Sequence, residues 1–588
     1  MVDVRIDQPS GRVNPAPASA DAPPRADGVP PLWSEMGTRE RVAHLKTEVL
    51  LGIIVFLTQL PESVAFALLA KLTPPVGLHS AWIIGLLTSL FGGRPGMISG
   101  AAGARATIIG AFLGTPARPG LNGDGAEIVF PAVIISGGLM LGVYAFGLYR
   151  FTKIIPESVM VGFLNGIGIL IALSQVFSFR EDDGSAWRSG AELGYMLLIC
   201  GAAVLIMELV PKIPCALSNL MPSSLLALIV GAIFEFALVR PLGSFTNTIG
   251  DVAQITAEQR FPVPFFLDAQ YDLSKLPALP NVAERIFTLS VLLCAVGTIE
   301  TLLTAEVVTE HVKTPNNPKR IMIALGGANI VAGVLGGMGG DSTIGLSKMN
   351  VLSGGTSRIS GTVAAVGILA CIMGAYPLLN YIPIAALTGV MFVLAAHTFA
   401  WPSVAYVLAA LLPDERARAR VRVRGVQLLP TKVDRFDALI MAAVTVISAV
   451  SNIVYATATG VVLASLRFTW ISAHDFKIER AMKADGSKLY KAHGELFFGT
   501  ANYFHLEFDY THDPSKVHLL LEFEPQDYSA THALRKVRAN YEKAGKSIEI
   551  RVHGAARAGG DELPPFGSAG PSGHLGDEWH RAGPLTAI

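Results

Sequence analysis

Long apolar runs dominate the chain from Val49 to about Trp470 and alternate with short polar connections. Many of them approach the roughly 20 residues that an α-helix needs to cross a bilayer. They lie at 49–70, 129–149, 156–178, 193–210, 221–239, 286–305, 319–335, 361–374, 379–398, 436–449 and 451–471. Stretches that are too short or too Gly-rich for an ordinary span lie at 79–92, 96–113 and 341–352. Full and partial spans together predict about fourteen membrane crossings.

The composition agrees with this pattern and excludes several classes of protein. Hydrophobic residues make up 51% of the 588, charged residues 16%, and the mean hydropathy is +0.47, whereas soluble domains carry about 25% charge. A large soluble enzyme with an apolar core is the alternative, but the length of the runs argues against it. The net charge of +0 lacks the basic field of a nucleic-acid-binding protein. Because no P-loop, HExxH motif or nucleophile elbow occurs, we predict no enzymatic activity and no cofactor.

Basic residues fall on alternate connections between the predicted spans. If the N-terminus is cytosolic, the cytosolic connections carry most of them, whereas the opposite ones, including the long connection at 243–283, are comparatively poor. By the positive-inside rule we predict a multi-pass protein of the plasma or bacterial inner membrane with both termini in the cytosol. The residues concerned are Arg94, Arg150, Lys153, Lys212, Lys313, Lys319, Arg320, Arg358, Arg416, Arg418, Arg420, Arg422, Arg424, Lys432 and Arg435.

Composition divides the chain into four segments. Residues 1–33, rich in Pro and Ala, predict a disordered tail, and residues 34–475 a transmembrane domain. Residues 476–554 alternate strand-like and helix-like pieces and predict a small α/β domain. The Gly- and Pro-rich residues 555–588 predict a second disordered tail.

Two apolar segments carry a carboxylate followed by a hydroxyl residue. The first reads Pro61-Glu62-Ser63 and the second Ile299-Glu300-Thr301. A single intramembrane acid can be a satisfied structural group. Two acids at matching places favour a functional site, because a charge inside a bilayer is costly. Paired interrupted segments of this kind are typical of transporters built from two inverted repeats.

A Gly-rich segment follows each of the two acids, GGRPGMISGAAGARATI at 92–108 and GGMGGDSTIGLSKMNV at 336–351. Glycine allows a backbone to break and its amides to approach a ligand. A helix that starts in mid-membrane directs free N–H groups and a positive dipole end into a cavity, so two such starts predict an anion site. The alternative is close helix packing through small residues.

Each Gly-rich segment also carries a positive charge six residues after a serine, Arg105 after Ser99 and Lys348 after Ser342. Both are expected a little over one turn beyond the half-helix starts. We predict that Arg105 lies near the substrate, since an intramembrane Arg needs an anion or a carboxylate. The alternatives are that Arg105 pairs with Glu62 or Glu300 and that Lys348 reaches the cytosolic interface.

At these residues the sequence resembles the sulfate permease family, over about residues 46–553. The resemblance rests on several motifs in the family's order. They are LPESVAFALLAKLTPPVGLHSAW, GGRPGMISGAAGA, PESVMVGFLNGIGILIALSQV, IETLLTAEVV, GANIVAGVLGGMGG, SKMNVLSGGTSRISG and, for a STAS domain, GELFFGTANYFHLEF with DYSATHAL.

The resemblance implies an α-helical membrane protein with a seven-plus-seven inverted repeat, in which a core domain moves against a gate domain, plus a STAS domain. It implies that backbone amides at the two half-helix starts bind the anion, with Glu300 as the coupling acid, Thr301 and Thr304 as neighbouring ligands, and Glu62 as the second candidate acid. The anion-binding residues would be Ser99, Gly100, Ala101, Ala102, Gly103, Ser342, Thr343, Ile344 and Gly345.

We therefore expect a secondary transporter of sulfate or bicarbonate, coupled to H⁺ or to Na⁺ bound near Glu300, that forms a homodimer. An uncoupled anion exchanger or chloride channel is the alternative, and a STAS signalling scaffold without transport is a third. Two residues depart from the family pattern. Leu346 stands where many members have Arg, which predicts that the positive charge has moved to Arg105. Asp341 is expected to be a helix N-cap, or else to oppose an anion or help to hold a cation.

Overall fold

The computed structural model describes most of the chain between Gly37 and His553. The described residues are 37–92, 94–113, 126–150, 155–180, 186–213, 221–253, 255–256, 258–267, 271, 281–312, 316–412, 422–423, 426–427, 434–450, 453–525, 527–553 and 582–584. The predicted tail at 1–33, most of the one at 555–588 and most of the basic cluster at 416–424 lie outside these residues. Within them the chain forms two compact units, Met1–Val461 and Val462–Ile588.

Helices account for nearly all of the regular structure in the first unit. In its first half they are α1 (Thr38–Leu69), α2 (Pro74–Leu87, continued by a π-helical turn, Thr88–Gly92), α3 (Gly103–Phe112), α4 (Val129–Ala145), α5 (Glu157–Val176), α6 (Gly190–Leu209), α7 (Ser223–Phe234) and α8 (Ile249–Ala253). In its second half they are α9 (Val282–Val312), α10 (Pro318–Val334), α11 (Ile344–Leu352), α12 (Ile359–Gly374), α13 (Tyr376–Leu379), α14 (Ile384–Thr398), α15 (Trp401–Leu411) and α16 (Arg435–Val450). The helix α17 (Ile453–Asp475) starts in the first unit and continues into the second.

The apolar runs and the helices coincide closely, and the predicted helical membrane fold is confirmed. Among the described residues, six helices are long and apolar enough to cross a membrane, or up to seven if the bent pair α14 and α15 forms one span. The helix α1 begins well before the run at 49–70. Its start is stabilised by Glu40, whose Oε2 accepts a hydrogen bond of 2.9 Å from the Gly37 N–H, as in a capping box.

Most of the helix packing falls within two groups, as expected for a core and a gate domain, and one buried apolar cluster joins the groups. In the core group α1 packs on α2 and α12, α4 packs on α9 and α10, and α9 packs on α11. In the gate group α5 packs on α14 and α16, and α6 packs on α7 and α14. The same order of elements occurs in both halves of the core group, a long acid-bearing helix, a second helix, a two-residue strand and a short helix. These strands are β1 (Ser99–Gly100) and β2 (Asp341–Ser342).

The second unit contains a STAS-like α/β fold. Its strands β5 (Lys477–Met482), β6 (Lys488–His493), β7 (Lys516–Leu521), β8 (Ser547–His553) and β9 (Ala582–Pro584) form one sheet in that order, after a small hairpin of β3 (Arg422–Val423) and β4 (Val426–Gln427) in the first unit. The strands β6, β7 and β8 are parallel, and β5 and β9 run antiparallel at the edges. Two helices, α18 (Phe498–Phe504) and α19 (Tyr528–Lys543), contribute to its apolar core.

A buried carboxylate, Asp513, organises the interior of this sheet domain. Its oxygens accept hydrogen bonds from Tyr490 Oη at 2.7 Å, Tyr541 Oη at 2.5 Å and Lys488 Nζ at 2.5 Å. Burial, together with the hydrogen bond to Asp513, raises the pKa of Tyr541. Tyr541 therefore remains a hydrogen-bond donor throughout the neutral pH range.

Candidate functional site

The two Gly-rich segments meet at a short antiparallel crossing. Ser99 of β1 lies opposite Ser342 of β2, and Gly100 lies opposite Asp341. The Ser99 and Ser342 hydroxyl oxygens are 2.7 Å apart and share a hydrogen bond. This pairing joins residues 243 positions apart in the sequence, so the two halves of the core group meet at one point.

A short helix starts immediately beyond each strand. The helix α3 begins at Gly103 after the N-cap Ala102, and α11 begins at Ile344 after the N-cap Thr343. The expectation that Asp341 caps α11 is wrong: Ser342 separates it from the cap Thr343, because the chain is still extended at β2. Neither N-cap residue makes a side-chain capping hydrogen bond. The first-turn N–H groups at both starts therefore lack an intrahelical acceptor and a side-chain cap.

Glycine makes the crossing this tight. A Cβ placed on Gly340 would lie 2.0 Å from the Gly100 carbonyl oxygen, and one on Gly100 would lie 1.9 Å from Gln59 Nε2. At Gly103 an added Cβ would meet Phe66 and, on α5, Ile171. At Gly345, by contrast, it would meet none of the described atoms within 4 Å. The start of α11 therefore has open space beside it.

Three of the predicted residues on α9 lie at β2. Thr301 Oγ1 accepts a hydrogen bond of 3.1 Å from the Ser342 N–H. Thr304 Oγ1 lies 2.8 Å from the Ser342 carbonyl oxygen and 2.7 Å from that of Glu300. The Glu300 side chain is 9% exposed, and its Oε2 has no hydrogen-bond partner in the part of the chain that the structure describes. A buried carboxylate without a donor is costly.

The matching acid in α1, Glu62, is also buried. Within the described residues no donor approaches its carboxylate. The contact with β1 comes instead from Gln59, one turn earlier, whose Nε2 donates a hydrogen bond of 3.1 Å to the Ser99 carbonyl oxygen. Sequence reasoning missed Gln59, although a lone amide inside an apolar run, three residues before the acid, was a visible signal.

The Arg105 side chain is fully buried and lies inside the core group. Its Nη1 donates hydrogen bonds of 2.8 Å to Asn329 Oδ1 and to the Gly340 carbonyl oxygen, and its Nη2 donates one of 3.2 Å to Ser136 Oγ. Gly103 faces α5, and Arg105, two residues later, is rotated by about 200° around the helix axis. The guanidinium thus lies on the side of α3 that faces α4 and α10. Sequence reasoning identified neither Asn329 nor Ser136.

Along α3, Arg105 is the third residue, within the first turn rather than beyond it. The third residue of α11 is Leu346, and Lys348, which is half-buried, is the fifth. Arg105 and Leu346 are therefore the matching positions of the two half-helices. Among the described residues, no group of three or more His, Cys, Asp or Glu side chains is arranged to hold a metal ion.

Comparisons with known proteins agree with this architecture. The chain is 29% identical over 513 residues to YbaR of Bacillus subtilis, provisionally named a sulfate transporter, covering 86% of this chain and 94% of that protein. It is 26% identical over 377 residues to the bicarbonate transporter BicA of Picosynechococcus, covering 61% and 62%.

Solved structures share the fold. The transmembrane domain of a cyanobacterial bicarbonate transporter BicA matches with a TM-score of 0.55 and 23% identity, covering 72% of this chain and 97% of that one. The structure of SLC26A9 matches with a TM-score of 0.66 and 16% identity, covering 86% and 84%. The family model described as the sulfate permease family matches residues 45–406, well over half of the sequence. The chain belongs to the sulfate permease family.

Proposed function

We propose that this protein is a secondary active transporter of a small inorganic oxyanion, sulfate or bicarbonate. The observation that carries the proposal is the pair of uncapped helix starts, Gly103 of α3 and Ile344 of α11, on either side of the β1–β2 crossing. Each helix N-terminus offers free N–H groups and about half a positive charge. Together they form an anion-binding site without a bound metal. The names of the relatives, sulfate and bicarbonate transporters, support this class of substrate.

In this proposal the anion is bound by backbone N–H groups in the segments Ser99–Gly103 and Ser342–Gly345. Within the second segment the donors are the N–H groups of Ile344 and Gly345, because the Ser342 N–H donates to Thr301 Oγ1 and the Thr343 N–H to the Ile98 carbonyl oxygen. The open space beside Gly345 gives the anion room to approach. The hydroxyls of Ser99 and Ser342 bond to each other and set the distance between the two strands. Movement of the core group against the gate group, which pack on each other where α3 meets α5 and where α1 meets α7 and α14, would carry the site across the membrane as an elevator.

Glu300 is the proposed coupling residue, with Thr301 and Thr304 beside it. The Glu300 Oε2 has no hydrogen-bond partner among the described residues, so it is available to a cation. Glu300 also lies on α9, whose Thr301 and Thr304 hold β2, so a cation bound to its carboxylate would affect the anion site directly. H⁺ and Na⁺ both fit a single carboxylate with neighbouring hydroxyl and carbonyl oxygens. Binding either ion removes the cost of a bare buried charge.

Uptake into proteoliposomes tests the transport proposal. Full-length protein should accumulate labelled sulfate or bicarbonate when a proton or sodium gradient is imposed, with each gradient varied alone. The Glu300→Gln variant keeps size and hydrogen bonding but cannot carry a dissociable proton, so gradient-driven accumulation should be lost while exchange of internal for external anion persists. Exchange without gradient dependence in the unmodified protein would instead favour an uncoupled exchanger or channel. Absence of any anion flux would favour the scaffold.

Self-association is part of the proposal, since the resemblance implies a homodimer. Light scattering of the detergent-solubilised full chain should give twice the protein mass of a monomer. A monomeric mass at all concentrations tested would contradict it.

A further inference from the structure

A further buried carboxylate, Asp341, lies near Arg105. Asp341 is 0% exposed, and neither of its carboxylate oxygens has a hydrogen-bond partner in the described part of the chain. A methyl group placed on Gly297 would lie 3.2 Å from Arg105 Nη1 and 3.7 Å from Asp341 Oδ2. The guanidinium and the carboxylate therefore border the same small space next to α9.

Among the described residues, three titratable groups face the Arg105 guanidinium from the elements packed against it. They are Asp341 on β2 and Cys294 and Glu300 on α9, with Asp341 the strongest attraction. A guanidinium stays charged in proteins, and a buried charge needs a counter-charge. Glu300 is the proposed carrier of the coupling cation, so Asp341 is the carboxylate left to balance the charge of Arg105 across this space, without a hydrogen bond between the two side chains.

The mirror position in the other repeat shows that the fold does not require charged residues at these two places. Ile98 precedes Ser99 as Asp341 precedes Ser342, and Leu346 is the third residue of α11 as Arg105 is the third of α3. Ile98 and Leu346 pack together in one apolar cluster with Val55 and Ala364. Two apolar residues thus occupy, on one side of the crossing, the positions that two charged residues occupy on the other. Since a buried ion pair is weak support for stability compared with apolar packing, the charges call for a functional reason.

We infer that Asp341 is a specificity-determining residue that cancels the charge of Arg105, so that the anion site favours monovalent anions over divalent sulfate. This inference rests on the proposed transport function. With Arg105 neutralised from within, the anion meets the two helix starts, which together supply about one positive charge. That charge balances a monovalent anion such as bicarbonate and leaves a divalent one uncompensated.

Removing the carboxylate should shift this preference. Asp341 lies three residues before the start of α11, so at most about 10 Å of chain separates it from the site. At that distance one unit charge changes the sulfate-to-bicarbonate ratio by about tenfold. Asp341→Asn should therefore raise the uptake ratio of labelled sulfate to bicarbonate by about that factor, and Asp341→Glu, which keeps the charge, should leave it unchanged. Glu306→Gln is the matched control, because it removes an exposed carboxylate from the same region of α9.

A double variant tests the charge balance directly. Arg105→Leu with Asp341→Ile reproduces the apolar pair of the other repeat, leaves the net charge unaltered, and should restore the ratio of the unmodified protein. Thermal stabilisation of each purified full-length variant by sulfate and by bicarbonate gives a second readout that does not need turnover. This stabilisation also measures anion preference in variants that bind an anion without transporting it.

The outcomes separate the two proposals. A folded Asp341→Asn transporter with an unchanged ratio overturns the specificity role, and so does a double variant whose ratio moves as far as that of the single one. If Asp341→Asn does not fold, the double variant alone decides. If the unmodified protein shows neither anion flux nor stabilisation by an anion, the transport proposal itself is overturned.

Discussion

The two halves of the core group reach the same crossing with different side chains. In the first half, the strand β1 is held by one long amide side chain, Gln59 of α1. In the second half, β2 is held by two hydroxyls of α9, Thr301 on the N–H of Ser342 and Thr304 on its carbonyl. The backbone geometry is shared, whereas the hydrogen-bond donors and acceptors that fix it are specific to each half.

The environment of the buried acids differs as well. Glu300 lies near Arg105 and Asp341, whereas no charged partner of Glu62 is found among the described residues. Repeated architecture therefore does not imply repeated function. It provides two similar places in the membrane, one of which is polar and the other largely apolar, and an anion between them meets an asymmetric surface.

The largest expected effect comes from placing a charge in the apolar half. Leu346→Arg puts a guanidinium among Val55, Ile98 and Ala364, where no carboxylate corresponds to Asp341. A buried charge without a partner costs about 3–5 kcal/mol, so we expect a large fall in the thermal unfolding temperature of the purified protein. Adding Ile98→Asp should recover part of it, because this copies the charged pair of the other half.

Leu346→Met is the control for this experiment, since a swap that conserves volume should cost less than about 1.5 kcal/mol. If Leu346→Arg were as stable as Leu346→Met, the Leu346 side would not be the dry apolar counterpart of the Arg105 side.

Next in size is the difference between the two acids in transport. Glu62→Gln should leave gradient-driven anion uptake intact, because Glu62 makes no hydrogen bond to either strand of the crossing in the described structure, and Glu300→Gln should abolish it. Proteoliposome uptake under proton and sodium gradients measures both variants side by side. The reverse result would transfer the coupling role to the first half.

The two facing half-helix starts could be anticipated from the sequence, but the strand crossing between them and the orientation of Arg105 could not. A Gly-rich segment follows each acid-bearing helix, and the two segments predicted two facing half-helices. The helix starts at Gly103 and Ile344 agree with this prediction. Counting six residues from each serine paired Arg105 with Lys348. The structure pairs it with Leu346, because α3 begins four residues after Ser99 and α11 only two after Ser342. Such a difference in loop length rotates every later side chain, and tertiary packing determines it.

Similarly, the partners of Arg105 lie too far away in the sequence to be inferred. Asn329 is 224 positions from it and Gly340 is 235. Local patterns identified Arg105 as unusual in an apolar run but neither Asn329 nor Ser136, and only the packing of α3 against α4 and α10 shows that these residues meet.

A smaller effect should distinguish the two ways in which the strands are held. Gln59→Leu removes the side-chain donor to the buried Ser99 carbonyl, which should cost about 1–3 kcal/mol. Thr304→Val should cost less, because Thr301 still holds Ser342 through its N–H. Thermal unfolding of the two variants ranks their losses of stability. Hydrogen exchange around β1 in the Gln59→Leu variant should be faster than exchange around β2 in the Thr304→Val variant. Equal losses in both variants would mean that the two halves are anchored equivalently.

The smallest expected effect concerns the hydroxyl pair at the centre of the crossing. Ser99→Ala and Ser342→Ala should each cost about 1 kcal/mol, the net contribution of one hydrogen bond. Because the two hydroxyls bond to each other at 2.7 Å, the double variant should lose little more than either single one, and the double-mutant cycle should give a coupling energy of about 1 kcal/mol.

Anion-dependent thermal stabilisation of the same variants then separates two roles. If the hydroxyls only set the strand spacing, both single variants should weaken anion binding to the same small extent, whereas a direct ligand would give one variant a clearly larger loss. Additive losses in stability would show that the serines do not bond to each other, and the crossing would then depend on the backbone pairing and on Gln59, Thr301 and Thr304 alone.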